Sequence, residues 1–258
     1  MTIQPASGAS VNLGGVTLTG VSNLTVTGFG PTNGSSTSSG LTIQGQYNGP
    51  DTNITWSYNS MPSNGVNVNT NPVANANILI THNRFVGYAN SGEQDRMLVN
   101  AQNGASACPA GIVISYNLFS GGESDGTDID GNTCGVQILH NEYSNIQEGN
   151  CGGIHCDAIQ DNGGGEQEDI EGNYFHNNSD GLLFDDGNDG PDTIAYNVFD
   201  NPTYRCVEGQ YGSGTVFTHN TFNCEVNIGQ DHGGDKTTNV TFTDNVFGPS
   251  SNAQFSVQ

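Results

Sequence analysis

An all-β solenoid is the fold class this sequence predicts, and three observations carry the prediction. A short polar-apolar motif returns along nearly the whole chain at a period of about 24 residues. Each repeat holds two or three short alternating or β-branched runs separated by Gly, Asn and Asp, and none holds a dozen residues with helical periodicity.

The motif reads ITWSYNSM, ILITHNRF, IVISYNLF, VQILHNEY, DIEGNYF, TIAYNVF, TVFTHNTF and VTFTDNVF. Its asparagines are Asn59, Asn83, Asn117, Asn141, Asn173, Asn197, Asn220 and Asn245, at intervals of 24, 34, 24, 32, 24, 23 and 25. The two long intervals mark insertions, around GYANSGEQDRM and SNIQEGNCGGIHC. A unit this short cannot bury its apolar side alone, so neighbouring units must stack into one continuous core. Parallel strands about 4.8 Å apart would give nine or ten coils and a rod of roughly 45 Å. The aromatic two places after most of these asparagines (Phe85, Phe119, Tyr143, Phe175, Phe199, Phe222, Phe247) then fills one interior corner, coil after coil. Asparagine suits such a corner because it tolerates the left-handed conformation and its amide can bond to backbone in adjacent coils. PTNGSSTSSG, residues 31–40, reads as a polar turn loop, so residues 1–258 form one domain.

The charge sets limits on partners. Four Lys+Arg against 26 Asp+Glu give a formal net charge of -22, which argues against nucleic acid and against an anionic membrane surface. No run of apolar residues is long enough to span a bilayer, and MTIQPASGAS lacks the features of a targeting peptide. The six cysteines fit an oxidised, secreted protein. Measured against the asparagines, Cys108 and Cys134 fall in adjacent coils, as do Cys206 and Cys224, while Cys151 and Cys156 close a short segment of the second insertion. Three disulfides, Cys108–Cys134, Cys151–Cys156 and Cys206–Cys224, are the expectation, with a single zinc site as the competing idea.

Aligning the coils also lines up acids. The segments DGTDIDGN, DAIQDNGG, DGLLFDDG, RCVEGQYG and NIGQDHGG begin with Asp125, Asp157, Asp180, Arg205 and Asn227. Asp128, Asp130, Asp161, Asp185, Asp186, Glu208 and Asp231 follow within six residues. Strand alternation directs Ile159, Leu183 and Val207 inward and leaves the polar residues on an outer face or its rim. So dense a carboxylate array repels itself unless cations, protons or hydrogen bonds offset it. Asp128, Asp130, Asp157, Asp161, Asp185 and Asp186 are therefore candidate ligands for Ca²⁺, a hard cation that prefers several carboxylate oxygens. DDGNDGPD reads equally as a solvated turn, because tight turns demand the same residues. Carboxyl pairs on neighbouring coils also fall in the range that glycoside hydrolysis needs.

The coil length, the asparagine row and the stacked aromatics resemble the right-handed parallel β-helix superfamily of pectate lyases, polygalacturonases, alginate lyases and phage tailspikes. The resemblance spans about residues 11–250 and implies a secreted monomer acting on a long polysaccharide. Its pectate-lyase-like branch implies Ca²⁺-assisted β-elimination, with Arg205 as base and His155, Asp157, Asp161 and Asp185 beside it; Asp180, Glu208, His232 and Arg96 are candidate substrate contacts. The arginine-proline motif of that branch is absent. TDID, FDDG, IHCD and YRCV are only fragments of the polygalacturonase set, in a different order. A glycoside hydrolase using an aspartate pair, and a non-catalytic carbohydrate- or calcium-binding solenoid, are the alternatives. Individual residues have plain structural readings too: Arg205 as a salt-bridge partner of Asp180 or Glu208, His155 as a packing residue beside the cysteine turn, and His219 as a corner residue.

Overall fold

The computed structural model describes residues 1–30, 37–38, 40–44, 49–62, 65–70, 75–87, 95–101, 110–122, 124–131, 133–147, 156–162, 165–185, 190–200, 205–209, 213–229, 237–248 and 255–257. These form a right-handed parallel β-helix with no helix among the described residues. Sheet A and sheet C have ten strands each and sheet B has seven. A typical coil runs from sheet A (Gln137–Leu139) through sheet B (Glu142–Ser144) to sheet C (Asp157–Asn162), then begins again in sheet A at Asp169–Glu171. Pairing is parallel and in register between successive coils.

The corner between sheets A and B holds the asparagine row. Asn117 accepts from the Asn83 backbone N–H (2.9 Å) and from its Nδ2 (3.0 Å). Its own Nδ2 donates to the Ile80 carbonyl (2.9 Å) and to Asn141 Oδ1 (3.0 Å). The same pattern runs from Asn59 to Asn245. The left-handed residue is not the asparagine but the one before it, including Tyr58, His82, Tyr116, His140, Gly172, Tyr196, His219 and Asp244. That twist turns the chain, and the asparagine side chain then reaches inward to backbone groups that no strand can satisfy.

Inside, the aromatic rings stack at centroid separations of 4.7, 4.8, 5.1, 4.4, 5.2 and 5.3 Å from Phe85 through Phe119, Tyr143, Phe175, Phe199 and Phe222 to Phe247. Phe247, at the last turn, is half exposed. The column lies so close to sheet C that a Cβ at Gly126 or Gly181 would come within 2.8 or 2.9 Å of the Tyr143 or Phe199 ring. Cys206 and Cys224 form a disulfide, as expected. Cys134 and Cys156 are also disulfide-bonded, but Cys108 and Cys151 lie outside the described residues.

Asn117→Leu should strip the Asn83 N–H and the Ile80 carbonyl of their buried partners. With about 1–3 kcal/mol for each orphaned group, a loss of about 2–6 kcal/mol is expected by denaturant titration. Asn245→Leu, at the partly exposed end of the row, should cost clearly less.

Candidate functional site

Parallel register turns the acidic segments into columns on the outer face of sheet C. Asp157 pairs with Asp180 and Asp180 with Arg205, while the Asp157 N–H donates to Asp125 Oδ1 (2.6 Å). A second column runs Leu98, Asp128, Gln160, Leu183, Glu208, Asn227. Leu183 therefore sits on the outer row and Leu182 takes the inward place beside Ile159 and Val207, a one-residue correction to the alternation read from sequence. Asn227 pairs with Glu208; the place beside Arg205 goes to Glu225, where the register slips.

Four acids crowd one end of this face. Burial pushes the Asp128 carboxyl up to about 9, reinforced by the like charges of Asp95, Asp125 and Asp130. Burial also raises Asp95 and Asp130. Asn100 Nδ2 donates to Asp130 Oδ2 (2.5 Å). Like charges gathered in a partly desolvated place favour keeping a proton or taking up a cation. Asp95 and Asp125, absent from the candidate ligands above, complete the group.

Arg205 sits further along, with its Nε 3.0 Å from Asp180 Oδ1 and its Nη1 paired to Glu208. This is the salt-bridge arrangement, and proton transfer from the guanidinium would disturb both pairs. Arg96 is wholly buried, and its guanidinium donates to the Gly121 carbonyl. In this structure it braces a turn and is not open to a ligand.

Asp161 departs most from expectation. It lies in the inward column with Ile129 and Phe184 and is fully buried, not on the outer rim. At the corner between sheets C and A it meets Glu168 and Asp192, with one carboxylate oxygen from each within 4.8 Å of the others. The three are 0%, 1% and 2% exposed. Thr133 Oγ1 donates to Glu168 Oε1 (3.1 Å), the Glu168 N–H and Thr215 Oγ1 donate to Asp192, and among the described residues no donor reaches Glu168 Oε2. Burial, then the Asp192 charge, pushes Glu168 up to about 9; burial raises Asp192 as well. The Gly165 backbone closes one side, where a Cβ would come 2.8 Å from Asp161 Oδ1. An all-oxygen set with an acceptor lacking a donor fits a divalent cation such as Ca²⁺, and the triad could coordinate one. In sequence Glu168, Asp192 and Thr215 each stand five residues before a ladder asparagine, where Val136 and Val240 stand in other coils. That switch to acid was the available signal.

His155, Asp186 and His232, and the Asp185 side chain, lie outside the described residues. Of the other candidates, Asp128 and Asp130 join Asp95 and Asp125; Arg205 is tied to Asp180 and Glu208, both buried, and Asp157, also buried, stands in register with Asp180; Asp161 and Arg96 are elsewhere. No protein-family model matches the chain and no curated protein matches it. The disulfides are consistent with an extracellular protein.

The raised carboxyls predict a pH dependence. Glu168 (ordinary value 4.5) and Asp128 (3.8) both move up to about 9, so between those limits the folded state binds more protons than the unfolded state. Stability should therefore be highest in mild acid and fall as pH rises toward 9. Thermal melts across that range should show the fall, and Glu168→Gln should flatten it. Ca²⁺ should raise the melting temperature more at pH 8 than at pH 5, because protons and cation compete for the same oxygens.

Proposed function

We propose that this β-helix is a carbohydrate-active enzyme that cleaves a long acidic polysaccharide laid along the outer face of sheet C, by Ca²⁺-assisted β-elimination. The observation that carries the reading is the crowding of Asp95, Asp125, Asp128 and Asp130 on the same face as Arg205. A protein of net charge -22 needs a bridge to hold a polyanion. Those four acids suit that task, because their mutual repulsion falls when a cation binds. A Ca²⁺ ion there would neutralise a substrate carboxylate and so make the neighbouring C–H more acidic.

The chain's own residues supply the rest. Asp180 and Glu208 orient Arg205 toward one place on the face. In this reading a substrate carboxylate displaces Asp180 and Glu208 from Arg205, which gives one proton to solvent and as a neutral guanidine takes the proton next to that carboxylate, while the glycosidic C–O bond breaks and water protonates the departing oxygen. Asp157, in register with Asp180 and buried, supports that pair from the neighbouring coil. The buried triad stiffens the corner on which the sheet C strand Asp157–Asn162 ends.

Glycoside hydrolysis is the second reading, and one observation favours it. Asp128, pushed up to about 9 by burial, stands beside Asp125 and Asp130, a proton-holding carboxyl next to other carboxyls, from which an acid-base pair can be drawn.

The two reactions differ in product. Incubation with pectate, alginate, glucuronan and ulvan, with Ca²⁺ or with chelator, should give Ca²⁺-dependent ultraviolet absorbance from an unsaturated uronate, and Arg205→Ala should lower that rate at least 100-fold. New reducing ends without the chromophore, abolished by Asp128→Asn, would replace elimination with hydrolysis. Neither product from any polyuronate would overturn the enzyme reading.

A further inference from the structure

We propose that the outer corner between sheets A and B is a second glycan-binding site, a ribbon of alternating tyrosine and histidine that holds an acidic polysaccharide chain without cleaving it. The residues are Tyr58, His82, Tyr116 and His140, each immediately before a ladder asparagine in four successive coils. Their rings stack at centroid separations of 4.7, 5.1 and 5.1 Å, and Tyr196 and His219 repeat the pair at 4.9 Å beyond Gly172.

The corner itself does not call for these side chains. Every one of them holds a left-handed backbone, with φ from 55° to 57°, a conformation bulky residues rarely adopt. Gly172 and Asp244 fill the same place in other coils and make the same turn. Nor does the core need the rings: Tyr58, Tyr116 and Tyr196 are 58%, 55% and 55% exposed. Large aromatics kept at the surface in a row mark a binding surface more readily than a fold requirement.

Stacking covers the ring faces, so the ribbon presents edges: phenol hydroxyls alternating with imidazole nitrogens, one polar group per coil. Nδ1 of His82 is taken by the Thr81 hydroxyl (2.8 Å), which leaves Nε2 as the nitrogen for a ligand. Such a row suits a polymer whose hydroxyls recur along its length. Beside it lies a groove of about 480 Å³ that also includes Arg84, Leu118 and Glu142, a volume in the range of small-ligand sites. Arg84 is exposed and has no ion pair among the described residues, whereas Arg205 is committed to two carboxylates. Glu142 is engaged by His176 Nε2 (3.1 Å). In a chain with four Lys+Arg and 26 Asp+Glu, an exposed guanidinium lining the same groove as His82 and His140 is a local complement to a carboxylate. The site therefore takes a uronate-containing chain: carboxylate on Arg84, hydroxyls on the tyrosine and histidine edges. The choice of an acidic glycan rests on the function proposed above; the ribbon and groove do not.

The test uses the whole chain and two substitutions that spare the fold: Tyr116→Gly, which suits the left-handed φ, and Arg84→Gln on an exposed side chain. Binding to polygalacturonate and alginate, and to a neutral β-glucan, is measured by affinity electrophoresis in chelator, beside cleavage of a short oligouronate. The expected result is wild-type retention by a polyuronate that falls at least tenfold in the double variant, with the oligouronate rate unchanged. Equal retention of wild type and variant, retention by the neutral glucan alone, or no retention would each overturn the ribbon. Oligouronate cleavage reports on sheet C separately, so failure of one site is not failure of the other.

Discussion

The hydrogen bond from a corner N–H in one coil to a side-chain oxygen in the next is the constraint on which the molecule depends. Where the chain leaves one sheet for another, its N–H groups face the interior with no strand to receive them, and an unpaired buried amide is costly. Asparagine solves this between sheets A and B, with one amide oxygen accepting and one amide nitrogen donating in coil after coil. The other corners use the same device with other residues. The Val21 N–H meets Asp51, the Asp51 N–H meets Asn75, and the Glu168 N–H meets Asp192; Asn178 does likewise for Ile146. Because each bond ties a coil to its neighbour at one fixed residue, it sets the register for everything between corners.

That register has two consequences. It stacks like on like inside, which favours the aromatic column, since rings at these spacings gain from stacking as well as from burial. It stacks like on like outside too, and there the effect is repulsive. Asp125, Asp128 and Asp130 crowd within one coil, Asp95 joins them from the coil before, and the Asp128 carboxyl is raised as a result. Two of these effects converge at the corner between sheets C and A. Asp192 serves as a register-setting acceptor and, with Glu168 and Asp161, makes a buried group of three carboxyls that favours protons or a cation. Asp192 thus both sets the register and belongs to a group that could take up a cation.

The legible part of the site was the part that follows directly from the asparagine spacing. Asp128 and Asp130, Asp157 and Asp180, and Arg205 beside Asp180 all fall on one face once the coils are aligned. Asp161 was misplaced because it was grouped with the acids; alternation from the inward Ile159, two residues before it, already sends it inward. Glu168 and Asp192 were missed because they stand next to sheet A, far in sequence logic from the acidic segments; only closure of the coil brings them to Asp161. Asp95 was missed because the first insertion separates it from the repeat used as a ruler.

The sequence by itself determined the solenoid: its period, its asparagine row, its stacked aromatics and its net charge of -22 are one-dimensional facts that survive any detail of packing. Tertiary structure alone decided which residue at each corner is left-handed, which leucine of the pair Leu182 and Leu183 faces inward, and which carboxyls meet. The division has a physical cause. Periodicity is imposed on every coil equally and is therefore written repeatedly. A corner contact depends on where two differently shaped coils happen to close, which is written once and read only in three dimensions.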